Sequence, residues 1–183
     1  MALNLLLVTE FCWTASMRTS NKMSGNQIRK MKSMSRLYAV QALFQMEHSA
    51  ISVDIVCKEF FEHRFGEEYE DLKFIDGNQD FFKNLVSNAV KLQAAIDQMT
   101  DRALVEKWPI NRIDPTLRAL FRVAGSEMKA FDTPSKVIIA EYLTLSEAFY
   151  PDGKETKFVN AILDFMAREA NPVSYTHLRA HET

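Results

Sequence analysis

The chain has 183 residues, 47% of them hydrophobic, which is enough to bury one sizeable core, so a single domain is expected. Its net charge of −2 at pH 7 excludes the overall positive field typical of many nucleic-acid-binding proteins. Two distant cysteines, Cys12 and Cys57, indicate neither a disulfide framework nor a zinc site and predict a cytoplasmic protein. No run of residues approaches the roughly 20 apolar positions that a membrane-spanning helix needs.

Residues 1–27 show no helical spacing of apolar side chains and are excluded from the predicted domain. The apolar run LNLLLV at 3–8 follows no basic residue and is soon interrupted by Glu10, so we do not expect a secretory signal. Further methionines follow, beginning with Met17 and Met23. We interpret this segment as disordered, or as an extension upstream of the natural start of translation.

Basic charge is concentrated near the start of the predicted domain. Residues 1–50 carry six basic side chains against two acidic ones, whereas 54–80 carry nine acidic and three basic ones. Four of the cations crowd the predicted start of an amphipathic helix, where the helix dipole disfavours positive charge. Local stability does not explain them, so they indicate a surface for a polyanion. They are Arg29, Lys30, Lys32 and Arg36.

The first predicted helix runs to His48 and is capped by Ser33 or Ser35. Its apolar side chains fall on one side of a helical wheel and are expected in the core: Leu37, Val40, Leu43 and Phe44. Its polar side chains form an opposite stripe that can stack on bases and hydrogen-bond to their edges: Tyr38, Gln41, Gln45 and His48.

Helical periodicity continues along the rest of the chain. The predicted helices span 53–65, with Ile55 facing inward, 78–99, 114–130, 133–149 and 155–169, with a short element at 101–107 and an acidic loop at 67–71. Asp114-Pro115 and Thr133-Pro134 each place a capping side chain before a proline at the first helical position. No stretch alternates with strand period, so the prediction is an all-α bundle of six to seven helices.

Signatures of catalysis are missing from the sequence. None of the five glycines belongs to a GxGxxG motif or a phosphate-binding loop. Before residue 172 the only histidines are His48 and His63, and neither has a partner at the spacing of a metal site or a nucleophile motif. We therefore predict a protein that is not an enzyme and has no catalytic residues, cofactor or metal.

Four stretches resemble the NusB family of bacterial transcription antitermination factors, in order and in spacing. They are RLYAVQALFQMEHS at 36–49, IDPTLRALFRVAGSEM at 113–128, SKVIIAEYLTLSEAF at 135–149 and KFVNAILD at 157–164. The resemblance covers about 30–170 and implies a fold of two packed three-helix sub-bundles within a single domain at 28–171. It also implies binding, together with the ribosomal protein NusE, to boxA RNA of nascent ribosomal-operon transcripts on the RNA polymerase elongation complex.

Against this background, seven side chains of the first helix are the predicted RNA contacts: Arg29, Lys30, Lys32, Arg36, Tyr38, Gln41 and Gln45. Three further cations are weaker candidates: Arg118, Lys154 and Lys157. Asn160 lies among apolar residues, so we predict that it is buried and joins Arg122 and Glu141 in a structural polar network. The alternative function is a helical protein–protein adaptor whose basic segment binds an acidic protein and not RNA.

The last twelve residues, PVSYTHLRAHET at 172–183, resemble the translation of a transposon-based sequencing adapter. We interpret them as an artefactual tail. His177 and His181 therefore have no claim as ligands.

Overall fold

Helices make up nearly all of the regular structure in the computed structural model, which describes residues 23–66, 68–69, 72–73, 76–104, 109–151, 153 and 155–171. Within those ranges there are seven α-helices: α1 (Gly25–Ser49), α2 (Val53–His63), α3 (Gln79–Lys91), α4 (Gln93–Ala103), α5 (Pro115–Ala130), α6 (Ser135–Phe149) and α7 (Thr156–Ala170). A 3-10 turn at Ile110–Arg112 precedes α5. The predicted all-α class is confirmed, and none of the described helices is long and apolar enough to cross a membrane.

Helix α1 begins earlier than predicted. Its N-cap is Ser24, whose hydroxyl accepts from the Gln27 amide at 3.2 Å while the Gln27 side chain accepts from the Ser24 amide at 2.9 Å. Ser33 and Ser35, the predicted caps, lie inside the helix. Residues 25–27, which the prediction excluded from the domain, are therefore helical. The basic side chains follow the first turn, so the helix dipole opposes them less than expected.

The predicted helix at 78–99 is two helices. The Asn78 side chain caps α3 by accepting from the Phe81 amide at 2.8 Å, as the position of Asn78 suggests. The chain then leaves helical geometry at Leu92, where φ is −102° and ψ is 7°. Neither glycine nor proline marks this break, and apolar spacing continues through it to Ile96 and Met99, so periodicity alone could not reveal it.

Several other predicted boundaries differ from the structure. Residues in the predicted loop at 67–71 contribute to a two-stranded antiparallel ladder, Glu68–Tyr69 with Leu72–Lys73. The predicted element at 101–107 is partly the end of α4, and 105–108 lie outside the described residues. Ile55, expected inside, is 56% exposed, while Val56, Cys57 and Phe60 fill the buried side of α2.

The two predicted proline starts behave differently. Asp114 caps α5 by accepting from the Thr116 amide at 2.7 Å, with Pro115 as the first helical residue, which confirms that prediction. Thr133 does not cap α6. Pro134 itself occupies the N-cap position with an extended ψ of 135°, so α6 starts one residue later, at Ser135, without a side-chain cap.

Helix α5 lies at the centre of the bundle. It packs against α1 and α3 on one side and against α6 and α7 on the other, while α4 packs on α5 and α7. Helices α1–α3 and α5–α7 are thus the two predicted sub-bundles, with α4 added to the second. Gly125 allows the close approach of α4 and α5, because a Cβ there would stand 2.5 Å from Cγ2 of Ile96.

Candidate nucleic-acid interface

One side of α1 is exposed or half-buried along nearly the whole helix. Residues three or four positions apart lie on the same side of a helix, and this side is made of Lys30, Met34, Leu37, Gln41, Phe44, Gln45 and His48. We call it the α1 stripe. At about 1.5 Å per residue it is roughly 27 Å long. It joins a basic end of the helix to a groove at the other end.

The basic end presents three of the predicted cations. Arg29 and Lys30 are exposed. Lys32 is half-buried, and its Nζ lies 5.2 Å from the centroid of the Phe81 ring, over which the ammonium is held by a cation–π contact. The three side chains leave the helix in different directions, and only Lys30 belongs to the α1 stripe, while Lys32 is turned towards α3. A phosphate backbone that passes the start of α1 meets positive charge on each of these sides.

The groove lies where the end of α1 meets α2, the first turn of α5 and the end of α6, and its volume is about 500 Å³. Its lining includes Gln41, Phe44, Gln45, His48, Arg64 and Phe149. It combines apolar rings with amides and one guanidinium. That combination suits an unpaired base, which needs a surface for stacking and polar partners for its edge.

Phe44 is 38% exposed, so the prediction that it packs in the core is wrong. Its ring stacks on the His48 ring with centroids 4.3 Å apart, and the His48 Nδ1 donates to the Phe44 carbonyl oxygen at 2.8 Å. The buried side of α1 is centred on Ala39, Val40 and Leu43. Phe44 sits at the margin of that side, where α1 borders the groove rather than another helix.

The two glutamines of the stripe are placed differently. Both are half-buried and line the groove. Gln45 Nε2 donates to Glu59 Oε2 of α2 at 2.8 Å, whereas Gln41 makes no side-chain hydrogen bond to any described residue. Arg64, which sequence reasoning missed, reaches the same groove from the residue that follows α2. No local pattern could have identified it, because only the packing of α2 on α1 brings it there.

Two predicted RNA contacts of α1 are buried instead. Tyr38 is 5% exposed, its hydroxyl donates to the Arg64 carbonyl at 3.1 Å, and its ring centroid is 4.9 Å from that of Phe65. Arg36 is 3% exposed and is the centre of an ionic cluster in the core. The structure thus contradicts the surface positions assigned to both residues, because packing against α2, α5 and α6 covers them.

We call that cluster the Arg36 network. Arg36 donates from Nε and Nη2 to Glu127 at 2.9 and 2.7 Å, and from Nη1 to Glu141 at 3.1 Å. Tyr142 donates to Glu127 at 3.1 Å, and Ser33 donates to Glu141 at 2.6 Å. Burial by itself would lower the pKa of Arg36, but the hydrogen bond and the charge of Glu127 raise it above its ordinary value.

A second cluster, the Glu47 network, joins α1, α4 and α5. Arg122 donates to Asp97 at 2.8 and 2.9 Å and to Glu47 at 2.9 Å. Arg118, a predicted RNA candidate, is also largely buried here, and its Nε donates to both Glu47 oxygens at 3.0 Å. The hydrogen bond from Arg118 holds the pKa of the Glu47 carboxyl below its usual range, although burial acts in the opposite direction.

The predicted network of Arg122, Glu141 and Asn160 does not exist as one cluster. Arg122 belongs to the Glu47 network and Glu141 to the Arg36 network, while Asn160 is exposed. On α7 the buried side is Val159, Ile162, Leu163, Met166 and Ala167, and Asn160 points away from it. Lys157 is exposed at the start of α7, and the side chain of Lys154 lies outside the described residues.

No group of three or more His, Cys, Asp or Glu side chains that could hold a metal ion occurs among the described residues. By its architecture the molecule is a small helical bundle protein. The sequence model of the NusB family matches residues 33–168. The chain belongs to the NusB family.

Curated relatives give the same assignment. The transcription antitermination protein NusB of Maricaulis maris is 42% identical over 158 residues, which cover 85% of this chain and 98% of the relative. The protein of the same name from Caulobacter vibrioides is 42% identical over 149 residues, covering 81% of this chain and 99% of that one. The chain is therefore a transcription antitermination factor and not an enzyme.

Solved structures share the fold. NusB of T. maritima has a TM-score of 0.61 and 25% identity, covering 75% of this chain and 90% of that one. The NusB chain from a complex described as antitermination factors NusB and NusE with dsRNA has a TM-score of 0.62 and 20% identity, covering 78% of this chain and 97% of that one.

Proposed function

We propose that this protein binds boxA RNA of nascent ribosomal-operon transcripts along the α1 stripe, together with NusE, and so supports processive elongation by RNA polymerase. The observation that carries the proposal is the stripe itself, which runs on one exposed side of α1 from Lys30, with Arg29 and Lys32 on the same turns, to an aromatic groove at the other end. Support also comes from the solved complex of a similar fold with NusE and dsRNA.

The basic end of α1 and the groove make different contributions to binding. Arg29, Lys30 and Lys32 neutralise phosphates, which supplies affinity without sequence preference. Phe44, stacked on His48, offers an exposed ring to a base in the groove, and base–aromatic stacking contributes about 1–3 kcal/mol per base. Gln41 and Gln45 offer amides to base edges, where sequence is read.

A helix of this length gives only a short RNA contact, so binding to RNA alone is expected to be modest. NusE and the elongation complex supply the remaining contacts, and joining weak contacts on one assembly raises the effective affinity by orders of magnitude. Because the transcript is made in the bacterial cytoplasm, the proposal also places the protein there.

The test is the salt dependence of RNA binding after replacement of Arg29, Lys30 and Lys32 with glutamine. If all three contact phosphates, the slope of log K against log salt falls by about 2 for single-stranded RNA. Fluorescence anisotropy with labelled boxA RNA across a salt series measures that slope. The fold should be retained, because none of the three side chains is fully buried.

The control replaces three exposed lysines outside the stripe, Lys58, Lys91 and Lys129, and removes the same number of charges. This control variant should keep the original slope. An unchanged slope in the variant that lacks Arg29, Lys30 and Lys32, with equal affinity for boxA and for a scrambled RNA, would identify the protein as the helical protein–protein adaptor instead.

A further inference from the structure

An acidic side chain stands beside the groove that we assign to RNA. Glu59 of α2 is half-buried, and its Oε2 accepts from Gln45 Nε2 of α1 at 2.8 Å. A negative charge at this place repels phosphates, so electrostatics alone would disfavour it in an RNA-binding surface. The contact with Gln45 indicates another role for Glu59, which is to orient the Gln45 side chain.

A carboxylate accepts hydrogen bonds and donates none, so only the N–H side of the Gln45 amide can face Glu59. The hydrogen bond therefore determines which end of the amide is which. It leaves the amide oxygen and the second N–H of Gln45 available to a ligand in the groove, as one acceptor and one donor in a defined order.

Gln41 provides the contrast within the same groove. Its side chain is half-buried but makes no hydrogen bond to any described residue. It can turn either end of its amide toward a base, and it loses that freedom on binding. Gln45 has already lost most of the corresponding freedom before RNA arrives, because Glu59 holds it.

We propose that Glu59 is a positioning residue, which orients the Gln45 amide so that the groove discriminates between unpaired RNA bases. The inference rests on the proposed function, because it requires an RNA base in the groove. Glu59 itself contacts no RNA. Its contribution is to specificity, and it costs some general affinity through its charge.

The experiment compares Glu59→Ala, Glu59→Gln and Glu62→Ala, each titrated with boxA RNA and with a scrambled RNA of equal length. Glu59→Ala should lower the preference for boxA by about 2- to 10-fold, the range expected when one side chain loses its preorganisation. Its affinity for scrambled RNA should stay the same or rise, since a negative charge has gone. Glu59→Gln should keep only part of the preference, because an amide at position 59 can either accept from Gln45 or donate to it and no longer determines how the Gln45 amide is oriented.

Glu62→Ala is the matched control. Glu62 lies on the same helix, is exposed, and its contact with Lys58 is only a 3.9 Å ion pair. The Glu62→Ala substitution removes the same charge but leaves the contacts of Gln45 intact. The preference of this variant for boxA should therefore equal that of the original protein. An equal loss of preference in Glu62→Ala and Glu59→Ala would overturn the inference, because charge rather than the hydrogen bond would then be responsible.

Equal affinity of the original protein for boxA and scrambled RNA would mean that the proposed function fails, whereas Gln45→Ala separates failure of the positioning role from failure of the base contact on which it rests. If Gln45→Ala binds with the original preference, Gln45 reads no base, and both the base contact and the role of Glu59 are wrong. If Gln45→Ala loses preference while Glu59→Ala does not, only the positioning role is wrong. Support requires that both single variants lose preference and that Glu59→Ala adds nothing further in the Gln45→Ala background.

Discussion

Arg36 shows how far the role of one residue depends on its surroundings. It belongs to a run of cations that the sequence assigns to RNA, yet its guanidinium lies in the core and forms two hydrogen bonds with Glu127. Glu127 is fully buried and also accepts from Tyr142. Burial raises the pKa of Tyr142 far above its ordinary value, and the charge of Glu127 adds to the effect, so the hydroxyl remains a donor.

Removal of one side chain of the Arg36 network is expected to destabilise the fold strongly. Arg36→Ala should destabilise the fold by about 3–5 kcal/mol, because it leaves the Glu127 carboxylate buried without its partner. Equilibrium unfolding in urea measures the change. Lys30→Ala, on the same helix but exposed, should change the unfolding free energy by no more than about 0.5 kcal/mol. Similar small losses in both variants would show that the core accommodates the stranded carboxylate.

At the scale of the element, the first turns of α1 hold the cations in place with little help from packing. The buried residues of α1 extend only from Ser35 to Leu43, so Arg29 and Lys30 lie on turns that have no buried side chain. The reciprocal hydrogen bonds of Ser24 and Gln27 therefore matter more here than a cap does on a well-packed helix.

Ser24→Ala should lower the free energy of unfolding by about 1 kcal/mol and make the first turns of α1 open more often. Hydrogen exchange of the amides at 28–32 should become faster, while exchange at 38–43 should not change. Asn26→Ala, which leaves the cap intact at an exposed position, is the control. Unchanged exchange in Ser24→Ala would mean that the capping box does not hold these turns.

For the whole molecule, two ionic networks connect α1 to the second sub-bundle. The Arg36 network joins the middle of α1 to α5 and α6, and the Glu47 network joins its end to α4 and α5. Helix α1 is thus attached at two points along its length. The orientation of the α1 stripe relative to α5 and α6, and with it the shape of the groove, follows from these two attachments.

The described core lies within residues 35–167, so we expect a chain shortened to 23–171 to melt as cooperatively as the full chain. A chain that starts at residue 28 lacks the N-cap Ser24, so its free energy of unfolding should be about 1 kcal/mol lower than that of the 23–171 chain. Thermal unfolding followed by circular dichroism compares the three chains. Loss of cooperative melting in 23–171 would show that residues outside this range contribute to the core.

The sequence by itself determined the helical class, most helix positions and the Asp114 start of α5, because apolar spacing and capping are local properties of the chain. It also located the basic end of α1. Only the tertiary structure decided which side chains of α1 are exposed: Arg36 is covered because Glu127, 91 positions later, lies opposite it, and Phe44 is exposed because α1 borders a groove there. Periodicity indicates that a helix has an inner side, but the width of that side depends on the neighbouring helices. Those helices are distant in the sequence, so a local pattern cannot reveal how much of α1 they cover.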